Sequence, residues 1–124
     1  METLRIDATQ DTPSIVFDIT TNTMEISGKS YPDNVLAFYN PALTWLNKYA
    51  SQPGSHTKFI FKLDYFNTAT AKIIFDLLNK LHEIRTNGNK VDIVWYYKSD
   101  DDEMKEAGEG YKNILETDID IISY

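Results

Sequence analysis

Between Thr57 and Tyr97 the hydrophobic period of the chain changes twice, and this limits what it can fold into. In "TKFIFKLDYF", Phe59, Phe61, Leu63 and Tyr65 alternate with Lys58, Ile60, Lys62 and Asp64, the two-residue period of a strand with unlike faces. In "TATAKIIFDLLNKLHEIRTNGNK" the period lengthens. Ala71, Ile74, Leu77, Leu78, Leu81 and Ile84 form the apolar stripe of an amphipathic helix that Asn87 and Gly88 stop. "VDIVWYY" returns to a strand, with Val91, Ile93, Trp95 and Tyr97 on one face and Asp92, Val94 and Tyr96 on the other. Strand, helix and strand in succession predict a crossover unit with parallel strands.

The flanking segments extend this unit. "SIVFDITTNTMEISGKSY" reads as a hairpin turning at Thr21 and Asn22. "DNVLAFYNPALTWLNKYASQPG" reads as a helix capped by Asp33, with Leu36, Tyr39, Leu43, Leu46 and Tyr49 near helical spacing. Pro41 predicts either a kink or a fresh helix capped by Asn40. "SDDDEMKEAGEGYKNILE" reads as a third helix started by Ser99 or Asp100 and weakened by Gly108 and Gly110. "DIDIISY" makes a short last strand. The predicted order is β-β-α-β-α-β-α-β, an α/β fold with a mixed sheet and helices packed on it. At 124 residues the chain suits one domain spanning residues 1–124. The polar first dozen residues, 1–12, are expected to be loosely held.

Composition excludes several function classes. There is no cysteine, so disulfide frameworks, thiol catalysis and cysteine-built zinc sites are out. A formal net charge of -7 disfavours nucleic acid and anionic membrane surfaces as partners. No stretch is apolar enough for a signal core or a membrane span, and a cytoplasmic location is expected. Neither dinucleotide-binding nor P-loop glycine spacing occurs, and neither His56 nor His82 has a partner at ligand spacing. No serine sits in a nucleophile-elbow context. The run Asp100, Asp101, Asp102, Glu103 lacks the oxygen spacing of a calcium loop and reads as helix-start charge, with a partner-facing patch as the alternative. Trp45, Trp95, Tyr96 and Tyr97 read mainly as core and rim; as a ligand site they would need an enclosed pocket lined by Trp95 or Tyr96. No catalytic residue, metal or cofactor is expected.

Thr68 and Thr70 remain, at the turn from the central strand into its helix. Asn67 or Thr68 can cap that helix. A hydroxyl there can equally accept a phosphate, whose dianion would meet unpaired N–H groups and the positive end of the helix dipole. At about 100° per residue, Thr68, Lys72, Phe75 and Asn79 form a stripe to one side of the core stripe, whereas Thr70 points toward Ile74 and Leu77. Thr68 is therefore expected to be accessible and Thr70 covered. Lys72, one turn on, could pair with a phosphate on Thr68.

Five stretches, "DTPSIVFD", "MEISGKSYPDNVLAFYNPALTWLNKY", "FIFKLDYFNTATAKIIFDLLNKL", "VDIVWYY" and "DDDEMKEAGEGY", resemble the SiaC family of bacterial regulatory phosphoproteins over nearly the whole length. "FKLDYFNT" and "WYYKSDDDEMKEAGE" carry most of the specificity. The resemblance implies a fold like the anti-anti-sigma (STAS-type) domain and a non-enzymatic partner switch. It implies phosphorylation by an ATP-using, GHKL-like protein kinase and dephosphorylation by a PP2C-type phosphatase. The unmodified form would bind and activate a diguanylate cyclase, raising cyclic di-GMP and favouring biofilm growth. The threonine after "YFN", Thr68 here, is the implied phosphoacceptor, and Thr70 is a second candidate. Partners are expected on Asp64, Tyr65, Phe66, Asn67, Thr68 and Thr70, with Lys72, Phe75 and Asn79 extending the patch. The alternative output is transcription, through sequestration of the kinase.

Overall fold

The computed structural model describes residues 1–124. Six strands form one sheet in the order β1(Leu4–Ile6), β2(Ser14–Asp18), β3(Thr23–Ser30), β4(His56–Phe66), β5(Lys90–Tyr97), β6(Asp120–Ser123). The first three strands pair antiparallel, and β3 through β6 run parallel. Helices α1(Val35–Ser51), α2(Thr68–Thr86) and α3(Asp102–Leu115) connect the parallel strands. Each connection advances by one strand in the same direction. Because such crossovers are right-handed, all three helices fall on one face of the sheet. That face carries Ile15, Phe17, Met24, Ile26, Phe59, Phe61, Val91, Ile93 and Trp95, which pack with Tyr39, Leu46, Ile74, Leu77 and Leu81 of the helices into one core. The opposite face keeps Lys58, Lys62 and Asp92, with Lys62 Nζ 4.6 Å from the Tyr124 ring.

The mixed sheet and its helices are as the hydrophobic pattern predicts, and several local expectations are corrected. First, the N-terminal residues are not all loose. Leu4, Arg5 and Ile6 pair with Phe17, Val16 and Ile15, and Trp45 Nε1 donates to the Glu2 carbonyl at 2.7 Å. Second, α1 is capped by Asn34 rather than Asp33; the Asn34 side chain accepts from the Ala37 N–H at 3.1 Å. Third, α1 continues through Pro41 as one helix, so Asn40 does not cap a fresh one. Ala37 and Pro41 both lie on the exposed side, so the carbonyl left without a helical donor faces water. Leu36 leaves the expected stripe, standing in the first turn 65% exposed.

Fourth, α3 is capped by Asp101 rather than Ser99 or Asp100, through a 3.0 Å bond from the Met104 N–H. Its Gly108 has a packing role. A Cβ there would stand 2.5 Å from Trp95 Cδ1, so the glycine lets the helix approach that ring. Fifth, the alternation of β4 breaks near its end. Gly28 pairs with Leu63 and Lys29 with Tyr65, which leaves Asp64 as the extra residue of a bulge. The bulge shifts the pleat by one residue. Tyr65, expected on the apolar face, is 53% exposed, and Phe66 packs edge-on against Trp95 instead.

Candidate functional site

Parallel strands joined on one side start every helix at the same edge of the sheet, the edge where β3, β4 and β5 end. The turn from β4 into α2 lies at its centre. Two bonds fix that turn: the Asn67 N–H donates to the Ser30 carbonyl at 3.0 Å, and the Asn67 side chain accepts from the Thr70 N–H at 2.9 Å. Capping therefore falls to Asn67. Thr68 is the first helical residue and is exposed. Thr70 is fully buried. Its Oγ1 lies 2.9 Å from Ser30 Oγ and donates to the Ser30 carbonyl at 3.2 Å, and Ser30 Oγ lies 2.6 Å from the Tyr39 hydroxyl. Thr70 is thus corrected as a partner-contacting residue and as a second acceptor: its hydroxyl faces inward and is already engaged.

The other expected residues divide by exposure. Asp64 holds Lys98 at 3.2 Å, and this bond and charge raise the lysine's pKa. The exposed Tyr65 ring meets Tyr31 edge-on at 5.7 Å. Phe66 and Phe75 are half-buried, and Lys72 and Asn79 are exposed. Lys72 lies 3.5 Å from Asp76 across one helical turn, so a phosphate on Thr68 would compete with that carboxylate for it. Tyr31 and Lys98 escape sequence reasoning, whereas the start of α3 is legible only as helix-start charge, with a partner-facing patch as the alternative. A cleft of about 150 Å³ joins Asp64, Tyr65 and Phe66 to Asp101, Glu103 and Met104. Their only sequence signal is position: each follows a strand that ends at this edge.

Trp95 and Tyr96 line none of the larger clefts. Trp95 is fully buried against Phe61, Phe66 and Tyr111, with Nε1 donating to the Met104 carbonyl at 2.9 Å. A cleft of about 800 Å³ opens between α1 and the N-terminal segment; Trp45 lines it, and neither Trp95 nor Tyr96 does. Asp101 caps α3, and Asp102 and Glu103 occupy its first turn. His56 Nε2 lies 2.6 Å from Asp92 at the surface, and this bond lowers the carboxylate's pKa. His82 contacts Thr117 at 3.1 Å.

Burial pushes the Tyr39 hydroxyl from 10.0 up to about 12. A group whose pKa is raised on folding stabilises the fold fully below its unfolded pKa. That contribution is lost as pH rises through the folded value. Stability is therefore expected to fall between pH 10 and 12, and Tyr39→Phe is expected to flatten that part of the curve. Urea midpoints across this range check it, with Tyr111, also raised to about 12, supplying the remaining slope.

The architecture defines a small α/β domain that presents an exposed threonine at the start of its central helix. A family model described as SiaC family regulatory phosphoprotein matches residues 6–124, and the chain belongs to that family. The crystal structure of apo-SiaC from Pseudomonas aeruginosa superposes with a TM-score of 0.91 at 25% identity, covering 99% of this chain and 100% of that one. In a second structure from that organism, SiaC is the activator bound to the diguanylate cyclase SiaD. Its match has a TM-score of 0.92 at 25% identity, over 98% of this chain and 99% of that one. An uncharacterized protein of Pseudomonas aeruginosa strain UCBPP-PA14 is 27% identical over 112 residues, 90% of this chain and 89% of that protein. The solved relative is a regulatory protein acting on a cyclase. No helix of the present chain is long and apolar enough to cross a membrane.

Proposed function

We propose that this protein is a non-enzymatic phospho-switch whose unmodified form binds and activates a diguanylate cyclase. Thr68 is the residue modified, by an ATP-using protein kinase, and a PP2C-type phosphatase restores the free hydroxyl. The observation that carries this reading is the division of labour at the start of α2. Asn67 caps the helix and Thr70 is buried, which leaves Thr68 exposed on a rigid first turn. The activator role rests on SiaC, the family relative solved in complex with its cyclase.

The geometry supports a switch that works at the surface. A phosphate adds a charge of about -1.5 to -2 at one point of the rim, three residues along the chain from the exposed Tyr65. The backbone bonds of the turn involve Asn67, Thr70 and Ser30, so the fold stays in place on modification. A partner seated over the rim in the unmodified state would have to desolvate that dianion. The test is phosphate mapping by mass spectrometry after incubation with ATP and extract of the native host. Label is expected on Thr68 alone and lost in Thr68→Ala. Label persisting at one site in Thr68→Ala would assign the switch elsewhere.

A further inference from the structure

The three hydroxyls behind the Thr68 turn form a chain with a fixed direction. Each has one proton to donate. The Tyr39 hydroxyl has Ser30 Oγ, at 2.6 Å, as its one partner, so its proton is used only if it donates there. Ser30 Oγ then donates to Thr70 Oγ1 at 2.9 Å and Thr70 Oγ1 to the Ser30 carbonyl at 3.2 Å, the one arrangement that uses all three protons. The sequence of donors is Tyr39 to Ser30, Ser30 to Thr70, and Thr70 back to the Ser30 carbonyl. The same carbonyl receives the Asn67 N–H. One chain thus joins α1, the last residue of β3 and the first turn of α2, all of it buried.

We propose that Thr70, with Ser30 and Tyr39 behind it, is the positioning residue for Thr68, holding the first turn of α2 in the one conformation that a modifying enzyme accepts. This rests on the reading of Thr68 as the phosphoacceptor. The chain's direction makes its members unequal. Replacing Thr70 by valine keeps the shape but leaves two O–H groups, on Ser30 and Tyr39, with one acceptor between them. One buried donor is stranded. Tyr39→Phe strands none, since Ser30 still donates to Thr70 and Thr70 to the carbonyl. Thr70→Ser preserves the whole chain.

Two measurements on the full-length protein decide this. In amide hydrogen exchange, Thr70→Val is expected to speed the amides of Asn67 through Ala71 by about 10- to 100-fold, the effect of one stranded buried donor. Tyr39→Phe is expected to speed them less and Thr70→Ser hardly at all. In Thr68 labelling with ATP and native-host extract, a looser turn populates the accepted conformation less. The half-maximal protein concentration of Thr70→Val should then rise about tenfold with the maximal rate kept. Thr70→Ser should restore it, whereas a residue that merely fills space would be rescued by valine and not by serine. Thr70→Ala gives the same comparison if the valine variant does not fold. First-turn amides unchanged in Thr70→Val, or loosened more by Tyr39→Phe, would overturn the chain. Labelling of Thr70→Val with wild-type kinetics would overturn the positioning role. Absence of label on wild-type Thr68 would defeat the phosphoacceptor reading instead, and with it the positioning role, while exchange would still decide the hydroxyl chain.

Discussion

Thr68→Asp is expected to bind the host's diguanylate cyclase at least about a hundredfold more weakly than the wild type, because leaving a charge buried and unpaired in an interface costs several kcal/mol and each 1.4 kcal/mol is tenfold in affinity. Thr68→Ala should bind within about fivefold of wild type, since most interface side chains cost no more than about 1 kcal/mol when truncated to alanine. The difference arises at the surface, so both variants should melt with the wild type. Titration calorimetry with purified cyclase, beside a melting curve for each variant, separates lost docking from lost folding. An aspartate variant that binds as well as alanine would mean that charge at position 68 is not what the partner reads. A variant that binds poorly because it has unfolded would contradict the rigid first turn.

The largest effect on stability is expected on α3. Gly108→Val should lower the melting temperature by about 8 to 15 °C. Overpacking and a disturbed buried hydrogen bond together cost about 2 to 4 kcal/mol, and each is about 4 °C for a chain of this size. The added Cβ would meet Trp95 Cδ1 at 2.5 Å and Cγ and Nε1 at 2.8 Å. The ring has nowhere to go. It is fully buried, flanked by Phe61, Phe66 and Tyr111, and tied by Nε1 to the Met104 carbonyl on the same helix. Gly110 is the control. A Cβ there meets nothing within 4 Å, so Gly110→Ala should stabilise by up to about 1 kcal/mol through helix propensity alone. Equal melting of the two variants would remove the packing argument for Gly108.

The parts of this fold legible in sequence were those whose periodicity runs long. The helix Thr68–Thr86 repeats its stripe through five turns, and the strand before it alternates as far as Leu63. What stayed hidden was short or non-local. Leu4–Ile6 offers only three residues, too few for a period, and becomes a strand because Ile15 and Phe17 lie opposite. The bulge at Asp64 leaves no mark in composition, yet it turns Tyr65 outward. Asp33 and Asn34 both have capping side chains, as do Ser99, Asp100 and Asp101, and small differences in backbone geometry choose among them.

The candidate site follows the same rule. Helical geometry alone separates Thr68 from Thr70, because they share a turn whose facing is set by Ile74 and Leu77. The contacts of Ser30 with Thr70 and with Tyr39 were illegible, since they span 40 and 9 residues and depend on α1 passing beside the start of α2. The pairing of Tyr31 with Tyr65 likewise depends on strand neighbours that no local window contains.

The one-sided winding of the helices also fixes where the molecule can be handled. The far end of the sheet holds the turn at Asn87–Asn89, where space around Gly88 is open. A dye, tether or bead attached beside that turn would sit a full strand length from Thr68, so the working edge could be watched without being touched.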